Sequence, residues 1–372
     1  MRTPHHDWLA ARTVHLTGGC RAYNGFDPIL EFEPNVPSKP KSQITLRGYT
    51  TLYADLKNSG LVPIGCDFLS NSLEARSLVP PNWRTFHAWP DTIWPCQEEI
   101  DRWAHIGYAA SNSKNAKLWD LARRVSHQLR VCAWRLRQVS ESYREQLYAA
   151  TGSGEFRIGV RFQDGFTWLA YLAVQAFLVD ACILRDYLAE FYAAYACPDP
   201  DLVKEGQITS MSSLKKKVLD KVTQSTDATR ELKTATAEGG WLYELGAFRN
   251  LVVHCVPLAR ADASLLALTT ELTIAGVGAI PAISLPIPEN PSAIAKSRAA
   301  STYLTVLEDQ FLFFVRANRG ATPSMDGLVY AYSCLDRLTK LIRVLASYSP
   351  VTPEVPHITD ADVIGEIKVT KV

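Results

Sequence analysis

From Phe166 to Tyr195 the chain presents an almost unbroken apolar surface: Trp168, Leu169, Tyr171, Leu172, Val174, Phe177, Leu178, Val179, Ile183, Leu184, Leu188 and Phe191. A helix that is apolar all round has no solvent face, so it lies either inside a protein or in a bilayer. Gln175 and Asp180 interrupt the run, and Arg185 and Asp186 close it. That leaves fewer than the ~18 clean apolar residues of a membrane span. The expectation is the central helix of a soluble helical bundle, with no membrane partner.

The partners of such a helix are legible from their periodicity. From Asn115 to about Ala149, Leu118, Leu121, Val125, Leu129, Cys132, Leu136, Val139, Tyr143 and Leu147 recur at steps of three and four. The opposite face carries Lys117, Arg124, Arg130, Arg135, Arg137, Glu141 and Glu145. This is the pattern of a surface helix with one buried stripe. Ser113 is the expected N-cap, and Thr151-Gly152-Ser153-Gly154 the stop. Shorter helices are expected at Met211–Val222, capped by Ser212 or Ser213, and at Trp241–Cys255, ended by Pro257. Two more are expected at Ile294–Asn318 and Met325–Tyr348.

The rest reads differently. Residues 265–288 alternate apolar with Thr and Glu around Gly276-Val277-Gly278, which predicts a β-hairpin inserted into the bundle. Residues 1–110 are rich in Pro and Trp, with strand-like runs at Ile29–Phe32 and Ile44–Arg47 and little helix before Glu98. They are expected to form an α+β segment, with Trp83, Trp89, Trp94 and Trp103 used for packing rather than base stacking. Val351–Pro356 reads as a linker and 362–372 as a terminal strand. The predicted organisation is therefore mainly α: an N-terminal α+β segment (1–110), a helical bundle with a hairpin insertion (111–350), and a linker with a strand (351–372).

Composition narrows the function classes. With 39 Lys and Arg against 38 Asp and Glu, the net charge is +1, which lacks the strongly basic balance of a non-specific nucleic-acid binder. Basic residues are nonetheless clustered at Lys215-Lys216-Lys217 with Lys221, the candidate RNA-binding group, and along 123–137. The eight cysteines form no Cys-x-x-Cys pair, so neither a zinc site nor a disulfide framework is indicated. The first 15 residues lack a secretory apolar core, and a cytoplasmic protein is expected.

One short stretch carries chemistry: Phe248-Arg249-Asn250-Leu251-Val252-Val253-His254-Cys255. Three strongly polar side chains occur within six residues of an otherwise apolar helix, where Arg and His are seldom buried without partners. Asn250 and His254, four apart, share a face, and the long stem of Arg249 reaches it from one position round.

These residues resemble the HEPN superfamily, whose hallmark is an Arg, often followed by Asn, then four to six residues to a His. The resemblance is carried by Arg249-Asn250-Leu251-Val252-Val253-His254, within a helical region from Phe166 to about Tyr348. It implies a HEPN-type bundle and a metal-independent endoribonuclease of the toxin-antitoxin or phage-defence kind, with no cofactor. Catalytic roles would fall to Arg249, Asn250 and His254. The implied partners are RNA (tRNA or mRNA), a second copy in a homodimer that pairs two motifs, and a regulatory protein such as an antitoxin. A supporting polar residue is expected from Asp180 or Glu244.

The residue types suit that chemistry. An imidazole titrates near ~6.5 and can accept the 2′-hydroxyl proton, while a guanidinium holds its charge and binds two phosphate oxygens. Two other readings stand beside it. Arg249 could be an ion-pair partner of Asp180 or Glu244 and His254 a helix-end cap, in a non-catalytic binding or assembly bundle. A nucleotide binder would use the same cations, although the sequence has no Gly-rich phosphate loop.

Overall fold

The computed structural model describes residues 11–25, 28–34, 42–75, 77–152, 156–203, 208–254, 265–299 and 325–356. The first unit is a six-stranded antiparallel sheet in the order β4-β3-β2-β1-β5-β6. Its strands are β1 (Arg12–Leu16), β2 (Arg21–Asn24), β3 (Ile29–Glu33), β4 (Gln43–Thr45), β5 (Pro63–Phe68) and β6 (Asn82–Thr85). In β3 the alternation is visible, with Leu30 and Phe32 inward. Strand β5, one in from the edge, is buried at Pro63, Ile64, Gly65, Cys66 and Asp67 alike, so it has no solvent face and no alternation to read. Helix α1 (Leu52–Asn58) and the single turn α2 (Ser72–Ala75) lie in the connections.

The helical unit opens with α3 (Pro95–Asn112), which crosses position 110 and packs on α4 (Ala116–Gly152). At ~1.5 Å per residue, α4 is about 55 Å long, and it buries the stripe predicted for it, Leu118 through Leu147. The cap differs from expectation. Ser113 follows α3, and the Asn115 side chain accepts the Leu118 amide at 3.1 Å, because an Asx side chain placed three residues before a free N–H closes the first turn.

The apolar run becomes α5 (Gly165–Phe191), continued by a π-helical turn at Tyr192–Ala196. Asp164 caps it reciprocally with Thr167. By length and apolarity α5 could cross a membrane, but half of its most apolar window is buried within the protein. Its polar residues are engaged there too: Asp180 accepts from Arg135 of α4 at 2.7 Å, and Glu190 from Arg124 at 2.9 Å. We therefore read α5 as a core helix, packed between α4, α8 (Trp241–His254) and the last helix, but not one without a solvent face: Phe166, Trp168, Leu169 and Leu172 near its start are exposed.

The expected helix 211–222 is shorter: α6 (Met211–Leu214) followed by a π-helical turn, Lys215–Leu219, with Ser210 rather than Ser212 or Ser213 as N-cap. Helix α7 (Asp227–Thr236), unanticipated, precedes α8. The hairpin is present as β8 (Ala267–Ile274) paired with β9 (Gly278–Ser284), with β7 (Arg161–Phe162) added at its edge. Next come β10 (Pro286–Ile287), α9 (Pro291–Ala299), β11 (Met325–Asp326) and α10 (Gly327–Ala346), capped by Asp326. The later part of the predicted 294–318 helix and the strand at 362–372 lie outside the described residues. The architecture is a helix-rich α+β fold, consistent with a mainly α chain that carries an N-terminal α+β segment and a hairpin. The tryptophans pack as expected: Trp103 is fully buried against Phe191, and Trp83 donates to the Ala133 carbonyl at 2.8 Å.

Candidate functional site

Helix α8 leaves the Gly239-Gly240 turn and buries Leu242, Leu245, Phe248 and Leu251 at a strict spacing of three. Phe248 meets Tyr330 of α10 with ring centroids 4.7 Å apart, and Cys182 of α5 donates to the Leu245 carbonyl. This packing fixes the rotation of the helix and turns the motif outward. Arg249 is half-buried, Asn250 is exposed, and the Arg249 guanidinium donates to the Asn250 side-chain oxygen at 3.2 Å. His254 is the last residue of α8, and its side chain lies outside the described ones.

The two supporting candidates are drawn elsewhere. Asp180 is held by Arg135 and by Gln128 at 3.1 Å, both on α4, because the α5 face that carries it looks toward α4. Glu244 is raised above its ordinary pKa by burial, against the opposing charge of Arg337 on α10. The basic face of α4 is likewise occupied: Arg124, Arg135 and Arg137 pair with Glu190, Asp180 and Asp67. Lys216, Lys217 and Lys221 are exposed on and after the π-helical turn. Of the four, Lys215 lines a cavity that Asn250 of the motif also lines.

That cavity, of about 260 Å3, lies beside α8. The lining includes Asn250 and Gly246 of α8, Arg185 of α5, Ser212 and Lys215 of α6 and its continuation, and Ser292 and Lys296 of α9. With Thr236 of α7 and Tyr243 of α8, five elements thus bring three cations and four hydroxyls together, and no carboxylate lines the space among the described residues. Gly246 has a steric role here. A Cβ at this position would lie 2.5 Å from Arg185 Nη1. Arg185 and Lys296 were not anticipated. The available signals were an arginine closing an apolar helix and a glycine inside another, which costs ~1 kcal/mol and so needs a reason.

A second polar cluster lies where the sheet meets α4. His15 Nε2 is 3.2 Å from Asp67 Oδ2 and 3.6 Å from Glu141, and His15 Nδ1 is 3.1 Å from Ser140 Oγ. Ser140, His15 and Asp67 form a hydroxyl–imidazole–carboxylate line, but Ser140 is fully buried in mid-helix and out of a substrate's reach. The ligand atoms of His15, Asp67 and Glu141 lie within 4.8 Å of one another, as in a cation site. Their charge, however, is already matched. Arg137 donates to both Asp67 oxygens at 2.8 and 2.7 Å, and Arg21 is 3.5 Å from Glu141. The adjacent cavity, about 570 Å3, mixes Asp67, Glu74, Glu141 and Glu145 with Arg137 and Arg144. We read the cluster as an interior ion-pair network joining sheet to bundle.

Its electrostatics make a pH prediction. Burial, reinforced by the Arg21 charge, lowers His15 to about 4. The folded protein therefore holds a neutral imidazole between pH 4 and 6.5, where the unfolded chain takes up a proton, and stability falls as pH drops through that window. Burial lowers His87 in the same direction. Glu99 works oppositely: burial raises it to about 7, so the folded state holds the extra proton between pH 4.5 and 7 and gains stability on acidification. Glu99→Gln is expected to steepen the loss of stability between pH 7 and 5 by on the order of 2 kcal/mol. Thermal melts at the two pH values check this, and equal slopes in the two proteins would contradict it.

Comparison with family models, with curated proteins and with solved structures finds no match to this chain.

Proposed function

We propose that this protein is a metal-independent endoribonuclease of HEPN type, acting in the cytoplasm as a toxin or phage-defence effector. The observation that carries the reading is the Arg249–Asn250 pair, turned outward by the packing of α8 and followed one helical turn later by His254. The 2′-oxygen of a ribose attacks the adjacent phosphorus while His254 takes its proton. The P–O5′ bond breaks, giving a 2′,3′-cyclic phosphate and a 5′-hydroxyl. Arg249 offsets the charge gathering on the non-bridging oxygens, where a fixed guanidinium contributes most. Asn250 accepts from Arg249 and so sets the direction of the guanidinium.

The departing 5′-oxygen also needs a proton, and a histidine that has just accepted one can supply it only after a delay. Two motifs facing one another across a homodimer cleft resolve this, one His254 as base and the other as acid. Mixing wild-type protein with His254→Ala subunits under exchanging conditions is therefore expected to lower activity as the square of the wild-type fraction. A linear fall would show that each subunit acts alone.

A further inference from the structure

Arg185 is the fixed element of the cavity beside the motif. It is 9% exposed, rises from the core helix α5, and is held by a single carboxylate oxygen: Asp186 Oδ1 accepts from its Nε at 3.2 Å and from its Nη2 at 3.1 Å. The same oxygen accepts the Met211 amide at 2.9 Å, which locks α6 to α5 and fixes the guanidinium's position. Nη1 makes no hydrogen bond or ion pair with any described residue, and the absent side chain of Gly246 leaves it open to the cavity. A buried guanidinium that keeps an open face toward a cavity is set to receive an acceptor.

The other two cations are lightly held. Lys215 lies 3.1 Å from Asp220 and Lys296 lies 3.7 Å from Glu238, and both pairs are exposed. Exposed pairs of this kind are worth little and exchange readily for a better anion. Ser212 and Ser292 add hydroxyl donors at the rim, while Met211, Leu242 and Ala295 make an apolar floor with Tyr243 beside it. The volume, near the lower end of small-molecule sites, matches one phosphate with part of its nucleoside. Asn250 belongs both to this lining and to the motif.

We infer that the cavity formed by Arg185, Lys215, Gly246, Asn250 and Lys296 is a phosphate subsite that holds the backbone phosphate of a nucleotide neighbouring the scissile bond. For its ligand this rests on the ribonuclease reading, since the same donors would also accept the phosphate of a free mononucleotide. The subsite fixes the strand's register against Arg249 and His254, so cleavage takes place at a set distance from a clamped phosphate.

The test uses a fluorescein-labelled 2′-O-methyl RNA hexamer, which cannot undergo 2′-attack, with adenosine 5′-monophosphate as competitor. Fluorescence anisotropy of the full-length protein is expected to show binding weakened about tenfold or more in Gly246→Ala and Arg185→Gln, and severalfold in Lys296→Gln. The salt slope should fall by ~0.7 for each cation removed. Gly246→Ala raises helix propensity and Lys296 is exposed, so these two variants stay informative if Arg185→Gln unfolds. Unchanged hexamer affinity in both overturns the subsite. Mononucleotide binding that depends on Gly246, without hexamer binding, overturns its assignment to a strand. The ribonuclease reading is judged separately by His254→Ala on cleavable RNA. His254-dependent cleavage with normal hexamer binding by the cavity variants would sink the subsite alone, whereas Gly246-dependent hexamer binding with no cleavage would sink the nuclease alone.

Discussion

Alanine at Asp67 is expected to destabilise the fold by about 3–5 kcal/mol, the cost of leaving buried charge uncompensated. Asp67 is buried and accepts both donors of Arg137 together with His15 Nε2. Burial by itself pushes the carboxyl up, but the Arg137 and His15 hydrogen bonds outweigh it and hold the group below its ordinary range. A folded pKa below the unfolded one contributes stability above the unfolded value and loses it as pH falls toward the folded one, so the carboxylate is fully effective at neutral pH. Without it, Arg137 keeps, among the described residues, Glu141 3.5 Å away and the face of Trp134, and β5 loses its polar tie to α4. Chemical denaturation measures the loss. Pairing Asp67→Ala with Arg137→Met should recover part of it, because removing both partners leaves no orphaned charge. A single-variant loss below about 1 kcal/mol would mean that the network is not what joins sheet to bundle.

Arg249→Ala and His254→Ala should each slow RNA cleavage by about 100- to 10,000-fold, the range of a positioned acid–base group or a fixed charge at the reacting phosphate. Arg249 is half-buried and Asn250 exposed, so truncating the motif leaves the apolar face of α8 in place. Melting temperatures close to wild type are expected for both variants. If the two residues were only structural, the order would reverse, with stability falling and any cleavage keeping its rate per folded molecule.

How much of this the sequence disclosed follows from the range of the interactions involved. Helices α4 and α5 were legible because a buried stripe or an apolar surface repeats locally over many turns, and the β8–β9 hairpin because its partner strands are adjacent. The N-terminal sheet was legible only at β3 and β4. Strand β5 is buried on both faces, and β1 carries His15, whose partners Asp67 and Ser140 lie 52 and 125 residues away. No local pattern encodes such pairings. Caps were misplaced by a few residues, at Ser113 for Asn115 and at Ser212 for Ser210, since several short polar side chains compete near each helix start and only backbone geometry selects one. At the site, the motif residues were evident from their clash with an apolar helix. The cavity was hidden, because Arg185, Lys215, Asn250 and Lys296 come from four separate elements and meet only in the folded chain. Asp180, read as a motif partner because it stood alone in an apolar run, belongs to Arg135 across the α4–α5 contact.

The chemistry proposed for Arg249 and His254 is written in the ends of the RNA fragments. Purified protein would be incubated with total cellular RNA and tRNA in excess EDTA, and the products mapped for terminal groups. Cleavage is expected to persist in EDTA and to leave 2′,3′-cyclic phosphates with 5′-hydroxyls. Fragments with 3′-hydroxyls and 5′-phosphates, or RNA left intact, would contradict it.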